Sequence, residues 1–158
     1  YDIGSGTGSI AVEIAGLSSS VSVFAIEKKA EAADLIEKNR KKAELENIQI
    51  IRAEAPEGLL KLPVPTHAFI GGSGEKLKEI LTVLYQKNPH MRIVLNAVSM
   101  ETICEMKEVL SLFPVSGEEV ILMQVSRSRH LGNYHLMQAE NPVWICSFSF
   151  REVMQDEN

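Results

Sequence analysis

Near the start of the chain, Asp2-Ile3-Gly4-Ser5-Gly6-Thr7-Gly8 sets an acid two residues before a glycine and then repeats glycine at alternate positions. Glycine has no Cβ, so such a turn bends sharply and lets a ligand come close to the backbone. Placed between a strand and a helix, it also offers the ligand free N–H groups and the positive end of the helix dipole. The spacing discriminates between ligands. A dinucleotide fingerprint reads G-x-G-x-x-G, but counted from Gly4 its last position is Ser9. Asp2 would repel a pyrophosphate and attract a ligand that carries positive charge.

The pattern D-x-G-x-G-x-G resembles the first motif of class I S-adenosylmethionine-dependent methyltransferases. That cofactor carries an ammonium and a sulfonium, which suits Asp2. The resemblance assigns Gly4, Ser5, Gly6, Thr7 and Gly8 to the cofactor turn. Glu27 closes the apolar run Val21 to Ile26, about 20 residues past the turn, where a ribose-binding carboxylate belongs in a βαβ unit. Loops at the carboxyl ends of parallel strands face the ligand crevice. Glu54, after the strand Ile48 to Arg52, is therefore placed to meet an adenine amino group, with Ala53 and Ala55 lining the slot. A second glycine cluster, Gly71-Gly72-Ser73-Gly74, follows the strand His67 to Ile70 and lies across the same crevice. Asn96 ends the strand that begins at Met91, and two roles stay open for it: bonding the substrate or fixing the turn.

The elements that position these residues are read from periodicity. Ser9 to Leu17 is predicted as a helix with Ile10, Ala11, Ile14 and Leu17 inward. Lys29 to Glu46 is a charged amphipathic helix with Ala32, Leu35, Ile36, Asn39 and Ala43 on its inner stripe. Glu75 to Gln86 forms a third helix. Ser99 caps a fourth, which turns Ile103, Met106, Leu110 and Phe113 inward. After Pro114 the pattern changes to two long strands, Glu119 to Ser126 and Val143 to Phe150, an antiparallel pair at the sheet edge. Trp144, Cys146, Phe148 and Phe150 alternate onto one face of the second. The segment Arg127 to His135 between them reads as a polar loop, and the tail Arg151 to Asn158 as frayed. From Val120 to Ala139 there is no acid, so Arg127 and Arg129, with His135, are candidates for holding substrate carboxylates.

Composition sets the class. A chain of 158 residues supports one domain, 1–158, with its own core. It opens in mid-strand at Tyr1-Asp2-Ile3, which suggests a domain truncated within its first strand. The net charge of −5 argues against a general nucleic-acid binder. No apolar run approaches membrane-spanning length. Cys104 and Cys146 sit in apolar patterns as buried free thiols, which fits a cytoplasmic setting, and no metal-ligand spacing is present.

Four segments together resemble the decarboxylating precorrin-6Y methyltransferases of cobalamin biosynthesis: the glycine turn, Ala53-Glu54-Ala55-Pro56-Glu57, Phe69-Ile70-Gly71-Gly72-Ser73-Gly74 and Val94-Leu95-Asn96-Ala97-Val98. Asn141-Pro142-Val143 adds to them. The resemblance implies a Rossmann-like α/β fold with a mostly parallel seven-stranded sheet, an antiparallel edge strand and helices on both faces. It implies S-adenosylmethionine as cofactor and a precorrin tetrapyrrole as substrate, methylated at carbon 15 with decarboxylation of the ring C acetate. It further implies a homotetramer and, in some members, a carbon-5 methyltransferase domain upstream. Tyr1 stands where tryptophan is common, and Glu54 where aspartate is common. Two alternatives remain: a class I methyltransferase for another substrate, such as RNA, and a non-catalytic nucleotide-binding module. The Asn/Asp-Pro-Pro-aromatic motif of amino-group nucleic-acid methyltransferases is replaced here by Ile70-Gly71-Gly72-Ser73-Gly74.

Overall fold

The computed structural model describes residues 1–152. Its elements run β1 (Asp2–Ile3), α1 (Ser9–Gly16), β2 (Val23–Ile26), α2 (Ala30–Lys42), β3 (Ile48–Ile51), a 3₁₀ turn (Glu57–Leu59), β4 (His67–Ile70), α3 (Leu77–Lys87), β5 (Arg92–Ala97), α4 (Met100–Leu110), β6 (Val115–Met123), β7 (Ser126–Leu131), β8 (Tyr134–Ala139) and β9 (Val143–Phe150). Seven strands form one sheet in the order β3-β2-β1-β4-β5-β9-β6. β1 to β5 pair in parallel, and β9 runs antiparallel between β5 and β6. The expected Rossmann-like α/β architecture is thus present, with its antiparallel pair at the sheet edge.

The strand order places the crevice. The chain steps outward from β1 to β2 and β3, then returns to add β4 on the other side of β1. At such a switch point neighbouring connections leave toward opposite faces, and ligands bind beyond the carboxyl ends of the strands. Ile3 pairs with Ile70, so the glycine turns that follow β1 and β4 begin side by side.

Alternation along the strands separates two apolar layers. Val23, Ala25 and Ile48 pack with Ala11, Ala15 and Ile36 of α1 and α2. Ile26 and Phe24 point the other way, into the layer that holds Leu77, Ile80, Leu81 and Leu84 of α3 and Met106, Val109 and Leu110 of α4. Helices therefore cover both faces. Cys146, Phe148 and Phe150 of β9 are buried in that second layer, as their spacing predicts. Ser99 caps α4 by accepting the Thr102 N–H at 3.2 Å.

Several local expectations are corrected. Arg127 to His135 is not a loop: β7 and β8 form a separate two-stranded ribbon joined through Gly132-Asn133, with Leu131 opposite Tyr134. Both of its faces are exposed, so its sequence carries no inside–outside alternation to reveal it. β6 begins at Val115 rather than Glu119, because a bulge at Gly117 and Glu118 lets the strand resume its pairing with β9. The inner stripes are narrower than predicted: Ile10, Leu17, Leu35 and Ala43 are exposed, and Ala15 and Ala33 are buried. Cys104 is exposed and only Cys146 is buried. The Arg151 N–H bonds the Pro114 carbonyl, so this first residue of the tail is tied down; 153–158 lie outside the described residues. Among the described residues no helix is long and apolar enough to cross a membrane.

Candidate active site

At the switch point lies a cleft of about 340 Å³, in the range of small-molecule sites. Gly4, Gly6 and Thr7 line it from the first turn, Glu27 and Lys28 from the end of β2, Ala53, Glu54 and Ala55 from the loop after β3, and Gly72, Ser73 and Gly74 from the second turn. A larger groove, about 690 Å³, runs between α4 and β6/β9 beside Phe113 and Trp144. It has neither glycine turn on its wall, so the chemistry is assigned to the smaller cleft.

The first turn is built on backbone bonds. The N–H groups of Gly4 and Ser5 both donate to the Ile26 carbonyl, at 3.0 and 3.1 Å. The Asn39 amide donates to the Thr7 carbonyl at 2.9 Å and ties the turn to α2. The glycines then divide by role. A Cβ at Gly4 would sit 2.7 Å from the Gly72 oxygen and 2.9 Å from its nitrogen. A Cβ at Gly8 would meet Ile36 at 2.8 Å, and one at Gly71 would meet Phe69 at 3.1 Å and the Gly4 oxygen at 3.3 Å. These three let turns and helices close on each other. At Gly6 and Gly72 nothing lies within 4 Å of the added carbon, which leaves room for a ligand against the backbone.

Glu27 is 8% exposed and fixed at both oxygens: Oε2 accepts the Gly6 N–H at 2.8 Å and Oε1 the Lys29 N–H at 2.9 Å. A carboxylate has about four lone-pair sites, so capacity remains for a vicinal diol in the cleft. Sequence reasoning assigned Glu27 only to the ligand; its bond to Gly6 shows that it also shapes the turn.

Asp2 behaves differently. It is 1% exposed, does not line the cleft, and neither carboxylate oxygen has a hydrogen-bond partner. Burial pushes its carboxyl up to about 6. The Ser5 hydroxyl, which could have satisfied it, donates instead to the Asp2 backbone carbonyl at 2.7 Å. An unpaired buried carboxylate behind the turn fits a cationic ligand in front of it.

The substrate candidates are not brought to the cleft wall. Asn96 lies within β5 opposite Ile145. Arg127 and Arg129 share one face of the ribbon, opposite Gln138 and Leu136. His135 pairs with His130 on the other face, their rings 4.0 Å apart. Ser73 lines the cleft with the second glycine cluster, as expected; residues the sequence reading passed over are Lys28 on the cleft wall and Lys76 at its rim. Lys28 follows Glu27 directly, which was the available signal. Among the described residues no group of three or more metal-ligating side chains occurs.

Comparison with known proteins identifies the family. A "probable cobalt-precorrin-6B C(15)-methyltransferase (decarboxylating)" of Methanothermobacter thermautotrophicus is 36% identical over 146 residues, covering 90% of this chain and 73% of the relative. The crystal structure of a precorrin-6Y C5,15-methyltransferase from Geobacter metallireducens superposes with a TM-score of 0.83 at 34% identity, over 94% of this chain and 78% of that one. The C-terminal domain of the Rhodobacter capsulatus precorrin-6Y C5,15-methyltransferase gives 0.80 at 27% identity, again over 94% and 78%. Residues 1–149 match the precorrin methyltransferase domain family, to which this chain belongs.

Proposed function

We propose that this protein methylates carbon 15 of a precorrin macrocycle with decarboxylation, the activity named for its relative, that S-adenosylmethionine is the methyl donor, and that the carbon dioxide comes from the ring C acetate. The observation that carries the reading is the pairing of an open Gly6 with a fixed Glu27 at the sheet's switch point, in a chain of this family.

Bound S-adenosylmethionine supplies a methyl activated by its sulfonium. The chain's part is to hold donor and acceptor in line, where positioning alone is worth a large share of the barrier. Glu27 takes the ribose hydroxyls, Glu54 takes the adenine amino group, and Asp2 complements the positive charge. The macrocycle is itself an electron-rich carbon nucleophile, and its conjugated system accepts the electrons left when carbon dioxide departs. Binding residues therefore matter more than an acid–base pair. Arg127 and Arg129, which share one face of the ribbon, are assigned to the substrate's carboxylates; His135, on the other face, is left out of that set. Arg127 is already within 3.8 Å of Glu140, an exposed pair that a substrate carboxylate can replace.

One series of experiments tests the reading. Calorimetric titration should show S-adenosylhomocysteine binding and no binding of NAD; a preference for NAD would make the chain a nucleotide-binding module of another kind. Arg127→Ala should bind S-adenosylhomocysteine unchanged and raise the KM for the precorrin by about tenfold. Unchanged substrate kinetics would remove the ribbon from the site.

The same reading takes the protein to be a cytoplasmic homotetramer with no nucleic-acid or membrane partner. Among the described residues β6 is the edge strand of the sheet, paired with β9 on one side, and its Val120, Ile121, Leu122 and Met123 are all exposed; the ribbon that follows it in the chain exposes Leu131, Leu136 and Met137. A long apolar edge of this kind is a template for association. Light scattering should give a mass of about four chains; a monomer would exclude this role. The reading accommodates a carbon-5 methyltransferase domain upstream; the Rhodobacter structure is the C-terminal domain of a precorrin-6Y C5,15-methyltransferase.

A further inference from the structure

Three loops meet at the rim of the cleft. Lys28 follows β2, Glu54 follows β3, and Lys76 comes just before α3. Lys28 Nζ lies 2.9 Å from Glu54 Oε1, and Lys76 Nζ lies 3.0 Å from Glu54 Oε2. Each carboxylate oxygen has its own ammonium. Backbone geometry aims the second one: Gly74 and Glu75 both adopt left-handed conformations, at φ 57° and 67°, and turn the chain so that Lys76 reaches back to Glu54. For Glu75, which has a Cβ, that conformation is unfavourable.

The arrangement does little for stability. All three side chains are a third or more exposed, and solvent screens most of what exposed pairs could contribute. The loop that bears Glu54 is closed without them, by the Gly58 N–H donating to the Glu54 carbonyl at 2.8 Å. What two ammonium groups on two oxygens do achieve is orientation. A lone exposed glutamate samples several rotamers; this one is held from both sides, with its remaining lone pairs available to the cleft it lines.

We propose that Lys28 and Lys76 are positioning residues that lock the Glu54 carboxylate at the nucleoside end of the cleft and thereby set a preference for a 6-amino purine over a 6-oxo purine. This rests on the reading of the cleft as the S-adenosylmethionine site. The chemistry is direct. A 6-amino group donates to a carboxylate, and a 6-oxo group presents a second acceptor to it. A locked carboxylate cannot turn away from the clash, whereas a free one can.

The test uses S-adenosylhomocysteine and S-inosylhomocysteine, titrated against the native protein, Lys28→Met, Lys76→Met, Lys76→Arg and Glu54→Gln. The native protein should favour the adenosyl ligand by about tenfold or more. Each Lys→Met change should lower that ratio at least about threefold, with the thermal midpoint unmoved, and Lys76→Arg should retain it. Raising salt to about 0.5 M should lower the ratio in the native protein and have a smaller effect in Lys76→Met, where only the Lys28 pair is left to screen. Lysine variants with the native ratio overturn the proposal. Equal binding of both ligands by the native protein also overturns it while leaving the cleft as the cofactor site. Binding of neither ligand overturns the cofactor reading, and this proposal with it.

Discussion

A Gly4→Ala protein is expected to lose more than about 3 kcal/mol of stability, whereas Gly6→Val should keep its fold and lose at least about 100-fold in S-adenosylhomocysteine affinity. The two glycines are two residues apart in one turn and both have positive φ, 69° and 56°. Their surroundings separate them. The carbon added at Gly4 runs into the backbone of Gly72, with the nearest atoms at 2.7, 2.9 and 3.1 Å. No flexible side chain is there to move aside, so one of the two glycine turns must shift, and with it the contact between the loops after β1 and β4. Gly6 meets nothing within 4 Å. Valine there pays only the left-handed backbone cost of about 1–2 kcal/mol, and its N–H can still donate to Glu27. Its methyl groups instead fill the space beside the bound ligand. Urea denaturation and calorimetric titration of both variants separate the outcomes. Native affinity in a folded Gly6→Val protein would mean that the ligand does not lie on this turn.

The same contrast shows how far the sequence was legible. Alternate glycines after a short apolar strand identify a turn, and Val23 to Ile26, Ile48 to Ile51 and His67 to Ile70 have the apolar, β-branched character of buried parallel strands. The element order then leaves few topologies, and the crevice follows from the order in which β4 returns beside β1. What spacing does not carry is the direction of each absent Cβ. Gly4 serves the fold because its neighbour in space is Gly72, which comes from a distant part of the chain. The partners of Glu54 were hidden for the same reason, since Lys28 and Lys76 sit on two other loops. The ribbon was missed for a different reason. Periodicity reports burial, and β7 and β8 bury neither face. Its local signal was the two-residue connection Gly132-Asn133, with Gly132 at φ 59°. Asp2 was placed by its distance from the glycines as a group beside the ligand. The structure puts it behind the turn, fully buried and unpaired.

That placement gives Asp2→Asn opposite effects on the free and the liganded protein. Burial lifts the Asp2 carboxyl to about 6, from an ordinary value near 4 in the unfolded chain. Between those values the folded chain holds more protons than the unfolded one, so native stability should fall as pH rises through about 4 to 6. Above that window the full cost, about 3 kcal/mol, is present. Asp2→Asn should remove the slope and raise stability at pH 7 by more than about 1 kcal/mol; the gain falls short of the whole because a buried amide is itself unsatisfied. Affinity for S-adenosylmethionine should respond with the other sign. Its positive charge favours the ionised carboxylate, so native affinity should rise through pH 6 and weaken by up to about tenfold per pH unit below it. In Asp2→Asn the affinity should be lower at pH 7 and flat across the same range. Urea midpoints and calorimetric affinities at matched pH values read both trends. Parallel profiles for the two proteins would show that Asp2 does not couple to the cation. Crossing profiles would explain why an otherwise well-satisfied turn keeps a carboxylate that weakens the free fold: the electrostatic cost is present before the ligand arrives, and the ligand's charge offsets it.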